Sequence, residues 1–379
     1  MPNIRKAMMG AAGAGGGSEL YVWGRNNSGQ LGDGTTTNTN SPNQLGDAGE
    51  WAFITTGAYH SVAIKPNGTL WIWGRNDHGQ LGDGTTTNIS SPTQLGTDTD
   101  WAEAACGQYQ CTFAVKTTGA LFSWGRNHSG QLMQGTATSV SSPVQVGALT
   151  DWVRVRGGNG GSLGLKTDGT LWGCGSRAIN GQALVPGTGI ISSPAQIGSL
   201  TTWVDFTAGA TIALGRTSDG KLWVWGQAYF GGLGNSTTSP DINSPVQVGT
   251  DTDWNGLATA GQGCFASRTN GTMWSWGRGA FGRTGQGITT NLSSPTQIGS
   301  LTDWGATLPS VVNSDGPVHT IKDDGTLWAW GFAQYGGLGN GTPLPAIGIS
   351  ISSPVQIGSD TDWVQVNTAS LMALGLRGG

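Results

Sequence analysis

Two stretches of the chain, LYVWGRNNSGQLGDGTTTNTNSP from Leu20 to Pro42 and LWIWGRNDHGQLGDGTTTNISSP from Leu70 to Pro92, are nearly identical. A repeat restricts the fold more than any composition value does, because each copy must bury its apolar surface against the next copy. Three markers fix the count at seven units. Ser-Pro-x-Gln, then Leu, Val or Ile, then Gly, begins at Ser41, Ser91, Ser142, Ser193, Ser244, Ser294 and Ser353. A tryptophan follows each marker: Trp51, Trp101, Trp152, Trp203, Trp254, Trp304 and Trp363. Trp-Gly recurs at Trp23, Trp73, Trp124, Trp225, Trp276 and Trp330, and Cys174 takes the seventh place. Two residues ahead of each of these places stands another aromatic: Tyr21, Trp71, Phe122, Trp172, Trp223, Trp274 or Trp328. The three places absorb all 18 tryptophans of the chain.

Each unit reads as β. WAFITTG from Trp51 is a short run of β-formers, SVAIK alternates up to the turn at Pro66–Gly68, and TLWIWG alternates again. A Gly/Thr/Asn-rich loop then leads to SPTQLG, where Pro92 suits an edge strand. Four strands in about 50 residues match one blade of a β-propeller. A lone blade leaves both faces wet. Covering one tryptophan removes roughly 150–250 Å² from water, about 4–6 kcal/mol gross, and only a neighbouring blade supplies the cover. The fold expected is all-β: a seven-bladed propeller of four-stranded antiparallel blades over residues 20–379. ELYVWG and the strand near Ser41 form a half-unit, as do WVQVNT and LMALGL after Trp363. Joined, the two halves complete a seventh blade and close the ring.

HSVAIKPNGTLWIWGRNDHGQLGDG, His60 to Gly84, resembles the repeat of the regulator of chromosome condensation family. The resemblance extends over residues 20–379 and implies the seven-bladed propeller. That family includes a guanine-nucleotide exchange factor, a secreted β-lactamase inhibitor protein, and bacterial and viral proteins, so the resemblance alone selects no function.

Charged residues make up only 11% of the chain and the net charge is −4. Without a basic run, the surface lacks what phosphate neutralisation on a nucleic acid needs. No stretch of eighteen apolar residues is present, so no transmembrane helix and no membrane insertion are expected. The sequence shows no Walker A loop, no G-x-S-x-G and no carboxylate pair at a defined spacing, which points away from an enzyme and from any cofactor. Cys106, Cys111, Cys174 and Cys264 follow no zinc spacing and read as buried fillers. His60, His78, His128 and His319 fall in four different units, with no metal or triad spacing. Asp33 and Asp83 read as loop chemistry, since the next unit has Gln134 at that place. Arg25, Arg75, Arg126 and Arg278 follow Trp-Gly and read as structural, each stacking on an aromatic face or tying down a neighbouring loop.

Two departures from regularity mark candidate binding features. TLPSVVNSDGPVH and GNGTPLPAIGIS lengthen two connections at the same end of the sheet, and offer Pro309, Val311, Asn313, Pro343, Leu344 and Pro345 as a built-up face. Residues 1–19, MPNIRKAMMGAAGAGGGSE, belong to no repeat. They make a poor signal peptide, having no Leu, Val or Phe in the core. The segment resembles the N-terminal peptides of tailed-phage structural proteins, which implies an anchor through Arg5, Lys6, Met8 and Met9 followed by a glycine hinge. The leading expectation is therefore a non-enzymatic virion component, a fibre, spike or decoration protein that docks through its N-terminus and meets other proteins or a host-surface receptor. The alternative is a soluble propeller, cytoplasmic or secreted, that binds one cellular protein as an inhibitor or exchange-factor-like regulator. A lectin is the third reading, on the Thr/Asn loops.

Overall fold

A computed structural model describes residues 17–108, 110–176, 189–238, 240–305, 316–343 and 349–378. Seven antiparallel sheets follow one another in chain order. Blade 1 consists of Phe53–Thr56, His60–Ile64, Leu70–Gly74 and Ile89–Gln94, ordered from the axis outward. Blades 2 to 5 repeat this arrangement from Trp101–Cys106, Trp152–Gly157, Trp203–Ala208 and Trp254–Ala260. The innermost strands of neighbouring blades touch around the axis. In blade 1 the pairing Trp71↔Gln94 and Ile72↔Thr93 resumes only at Gly74↔Ile89. Pro92, which has no N–H to donate, sits in the gap.

The closing blade, blade 7, joins the chain ends. Trp363–Ala369 and Met372–Arg377 supply its inner half, and Glu19–Gly24 and Thr39–Leu45 its outer half. The seam pairs Leu20 with Leu376 and Trp23 with Ala373. Ser18 also bridges Trp51 of blade 1. Blade 6 differs from the other six. Among the described residues it has three strands, Pro317–Ile321, Leu327–Phe332 and Ser350–Gln356, and a single bridge from Trp304 to Lys322 marks the inner position.

The tryptophans serve two separate purposes. Those of Trp-Gly are fully buried between blades, and in five of them the indole N–H reaches back to a loop carbonyl of the preceding blade. Trp73 donates to Gln30 at 2.9 Å, Trp124 to Gln80 at 2.9 Å, Trp276 to Gly232 at 3.0 Å, Trp330 to Arg283 at 2.8 Å and Trp23 to Gly337 at 3.1 Å. The tryptophans that open the blades work otherwise. The N–H groups of Trp51, Trp101, Trp203, Trp254, Trp304 and Trp363 find no acceptor among the described residues. Each of these rings instead lies edge-on to the aromatic two places before Trp-Gly, as with Trp254 and Trp274 at 6.2 Å. A cation from the second strand covers both rings. Lys65 lies 5.0 Å from Trp51 and 4.3 Å from Trp71, and pairs with Glu50 at 3.0 Å. Lys116, Lys166, Arg268, Lys322 and Arg377 repeat the arrangement. Blade 4 has Thr217 there, which accepts the Trp223 N–H at 3.3 Å.

Cys174 is explained by what it faces. In the regular junctions a glycine of the preceding loop lies against the indole. A Cβ on Gly82 would come within 2.6 Å of Trp124 Nε1, and one on Gly32 within 2.8 Å of Trp73 Nε1. The corresponding residue ahead of Cys174 is Met133, which is buried and held at φ +63°. The junction has exchanged sizes: the socket gained a side chain and the knob lost a ring. The Cys174 thiol still donates to the Gln131 carbonyl at 3.3 Å, which keeps the hydrogen bond of the repeat. Restoring only the ring, Cys174→Trp, should therefore cost about 1–3 kcal/mol by overpacking. Adding Met133→Gly should recover at least half of that loss. Urea unfolding of the two single variants and the double variant measures the coupling, and additive costs would show that the two sites do not share one socket.

Candidate interaction face

The propeller has two unlike faces. The back face carries the turn between second and third strands and the connection from one blade to the next. It holds the aspartates that pair with the stacked cations, such as Asp98 and Asp100 around Lys116. These are repeated structural units. The front face carries the turn between inner and second strands and the long loop between third and outer strands. There the repeat is broken.

The front-face break lies five residues after Trp in each Trp-Gly loop. Blades 7, 1 and 2 carry Ser28, His78 and Ser129 there, whereas blades 4, 5 and 6 carry Phe230, Phe281 and Tyr335. All three aromatics adopt left-handed backbone conformations, with φ of 61°, 63° and 57°. Such conformations cost a non-glycine residue of order 1 kcal/mol or more. Phe230 is 38% exposed, Phe281 37% and the adjoining Tyr229 57%. Each of the three packs on the residue two after Trp in the following blade. Phe230 meets Arg278 at 5.4 Å, Phe281 meets Phe332 at 4.6 Å, and Tyr335 meets Arg25 at 5.2 Å. Tyr59, from the inner turn of blade 1, then lies 5.3 Å from Arg25 and 5.2 Å from Arg75. The stacking expected of Arg25, Arg75 and Arg278 is therefore present. It forms a crescent of aromatic and guanidinium groups across blades 4 to 7 and into blade 1.

Of the proposed insertion residues, Pro343 is exposed on this face, beside the turn in which Thr342 donates to Asn340. Pro309, Val311, Asn313, Leu344 and Pro345 lie outside the described residues, as do Arg5, Lys6, Met8 and Met9. Asp33 and Asp83 are loop caps. Asp33 Oδ1 accepts from Asn26, the Thr35 backbone and the Thr35 hydroxyl, all at 2.9 Å, and Asp83 repeats the pattern. All four cysteines are free and buried, and burial pushes the Cys111 thiol up to about 12. Sequence spacing did not anticipate that His78 and His128 would meet, with ring centroids 6.2 Å apart on adjacent front-face loops. Among the described residues no group of three or more His, Cys, Asp or Glu side chains converges as a metal site would require.

Around the axis the inner strands add a charged group that was overlooked in the sequence. Glu103, Arg154 and Asp205 stand two residues after the opening tryptophans of blades 2, 3 and 4. Arg154 pairs with Asp205 and lies 3.8 Å from Glu103, and Arg156 reaches Glu103 at 2.6 Å. Burial raises the Glu103 pKa, against the pull of Arg156 and Arg154. The signal was available as Trp-x-Glu, Trp-x-Arg and Trp-x-Asp in successive units. Two acids and two arginines cancel, so the group ties blades together without attracting a charged ligand. Removing its centre with Arg154→Ala should cost about 1–3 kcal/mol in urea unfolding, because half-buried Asp205 loses its partner and buried Glu103 keeps only Arg156.

His60 and His319 are interblade clasps. His60 Nε2 meets the Thr112 hydroxyl at 2.9 Å, while His319 meets Thr368 at 2.9 Å and the Leu338 carbonyl at 3.2 Å. Burial lowers the pKa of His60 from 6.5 to about 3 and that of His319 from 6.5 to about 4. Between pH 6.5 and about 4 the unfolded chain protonates both rings and the folded chain does not. Stability must fall with pH through that window, by up to about 2.7 kcal/mol per pH unit for two protons. His319→Gln should remove about half of that slope, as read from urea unfolding at pH 6 and pH 5.

With blades, junctions and faces described, the fold is a seven-bladed propeller of chromosome-condensation-regulator type. The regulator of chromosome condensation (RCC1) repeat matches residues 18–64, 67–114, 118–165 and 324–370, about half of the chain, and a second form of the repeat matches residues 51–80. The chain belongs to the RCC1 repeat family. It is 26% identical over 355 residues to the Ultraviolet-B receptor UVR8 of Arabidopsis thaliana, covering 90% of this chain and 66% of that protein. It is 28% identical over 236 residues to human Protein RCC2, covering 60% and 38%, and 27% identical over 239 residues to the human E3 ubiquitin-protein ligase HERC2, covering 61% and 5%. The chain thus spans less than two thirds of the length of each of these relatives. In fold it resembles Prp20p of Saccharomyces cerevisiae, with TM-score 0.85, 17% identity and coverage of 99% and 95%. Human WBSCR16 is similar, with TM-score 0.81, 20% identity and coverage of 96% and 99%. The Prp20p structure is described together with that protein's binding to Gsp1p and histones, and yeast RCC1 has been solved bound to Kap60.

Proposed function

We propose that this chain is a protein-binding propeller that regulates a partner by docking it on the front face, and that it carries out no reaction of its own. The observation behind this reading is the row of Phe230, Phe281 and Tyr335. These residues break the repeat at one position in three consecutive blades, hold an unfavourable backbone conformation, and leave apolar ring surface in water. Aromatic and arginine side chains together are the residues that dominate binding energy at protein interfaces. Family membership supports the same reading, since Prp20p is described by the proteins it binds. Of the three readings drawn from the sequence, the regulator-like binding propeller takes precedence. The virion reading rests on residues 1–19, nearly all of which lie outside the described residues.

The test is a site-specific cross-link. A photoreactive benzoyl-phenylalanine at Phe281 should capture a partner protein in the native host extract, while the same group at Lys221 on the back face should not. With the captured protein purified, Phe281→Asn and Phe230→Asn should each weaken binding by at least about tenfold without changing the melting temperature. Asparagine tolerates the left-handed backbone, so a loss of binding would report the ring itself. Capture only from Lys221 would move the docking site to the back face and end this reading.

A further inference from the structure

We infer that the front face takes an acidic protein segment, with Arg25 as the anchor for one of its carboxylates and the neighbouring rings as the bed for its apolar side chains. This rests on the docking face argued above and adds the chemistry of its partner. Arg25 lies between Tyr335 of blade 6 and Tyr59 of blade 1, its guanidinium carbon 5.2 Å from one ring and 5.3 Å from the other. Two rings stacked on a guanidinium take up its flat faces and leave its N–H edge as the donor. That edge has no carboxylate among the described residues, and the Arg25 Nε hydrogen, which is buried, has no acceptor there.

The surrounding charges sharpen the case. Arg75 shares the Tyr59 ring, so two cations flank one tyrosine. Arg75 is neutralised by Asp77 at 2.6 Å. The other carboxylates on the described part of this face are already engaged. Asp33 and Asp83 cap their own loops, and Asp241 accepts the Ala228 N–H at 3.0 Å. Among the described residues no acid of the protein therefore serves Arg25. With Nε buried, the two outer NH2 groups are the edge left to bind a carboxylate through two parallel hydrogen bonds. Beside it, Tyr335 leads on to the stacked pair Phe281 and Phe332. An occupant that satisfies both features carries a Glu or Asp next to a large apolar side chain.

Arginine Nε–H resonances of the full chain provide the test, with the Arg25 signal assigned by its loss in Arg25→Lys. Three probes are titrated: the capped peptide Glu-Phe-Glu-Phe-Glu, its uncharged analogue Gln-Phe-Gln-Phe-Gln, and inorganic phosphate. The acidic peptide should shift the Arg25 signal saturably and bind at least about tenfold more tightly than the analogue. Arg25→Lys, which keeps the charge and loses the fork, should weaken it about fivefold or more. Tyr335→Asn, which removes one stacking ring and tolerates the backbone, provides a second variant if Arg25→Lys does not fold, and should also weaken binding. Equal binding of both peptides overturns the acidic anchor. Phosphate binding as tightly as the acidic peptide reduces the site to a small-anion site and overturns it as well. An unmoved Arg25 signal overturns it too, and the docking face itself is then judged separately by where the cross-links fall.

Discussion

One backbone carbonyl per junction holds this ring together. It belongs to the loop between third and outer strands, and it accepts the indole N–H of the next blade's Trp-Gly tryptophan. The same carbonyl often accepts a second donor: Gln30 takes Ser61 as well as Trp73, and Gln80 takes Thr112 as well as Trp124. A buried indole N–H left unpaired costs about 1–3 kcal/mol, so each loop must present its carbonyl in register. The glycine beside it must stay bare to admit the ring. The loop then continues over the next blade, where Gly84 donates to the Ser141 carbonyl and Gly135 to that of Ser192. Closing the ring requires every loop to be shaped by the blade that follows it, and this is why loops rich in glycine repeat as faithfully as the strands.

This dependence explains what was legible in the sequence. The periodic tryptophans revealed seven blades, and the half-units at the two ends revealed the shared blade, because both features follow from spacing alone. The two uses of tryptophan were not separable, since a hydrogen bond to a carbonyl leaves no mark on residue type. Met133 and Cys174 could have been read as one event, being displaced together from adjacent units, but linking them requires knowing that each loop is the socket of the next strand. The charged group of Glu103, Arg154, Arg156 and Asp205 was hidden for a related reason. Each unit contributes only one or two of its members, and the group exists only once the inner strands converge on the axis.

The candidate site was less legible than the fold. The two insertions point to the front face by strand direction, and Pro343 is exposed there, yet the aromatic crescent drew no attention beforehand. Phe230, Phe281 and Tyr335 look like ordinary variation within a polar loop until their backbone is seen to be left-handed. At that position the following glycine already supplies the turn in each of the six described loops, at φ 76° for Gly29 and 78° for Gly231. A second left-handed residue is therefore not required for the chain to turn, and blades 7 and 1 manage without one at Ser28 and His78.

In a repeat protein the two kinds of demand separate by position. Places that serve the ring must be the same in every unit, because every junction poses the same packing problem. Departures are tolerated there only in compensated pairs, as at Met133 and Cys174. Places free of that demand can differ from blade to blade. An exposed aromatic in a strained conformation adds little to the junction it caps, since Ser28 and Ser129 cap equivalent junctions with far less surface. Three such residues in neighbouring blades impose roughly 3 kcal/mol or more of backbone cost in total. Their stacking on Arg278, Phe332 and Arg25 offsets part of it, at about 0.5–1.5 kcal/mol for each contact. Any strain that the stacking does not offset is carried by the stability of the ring as a whole. The rigid ring fixes the spacing of the three blades, so the partner proposed for this face would meet a preorganised surface and give up less freedom in binding it.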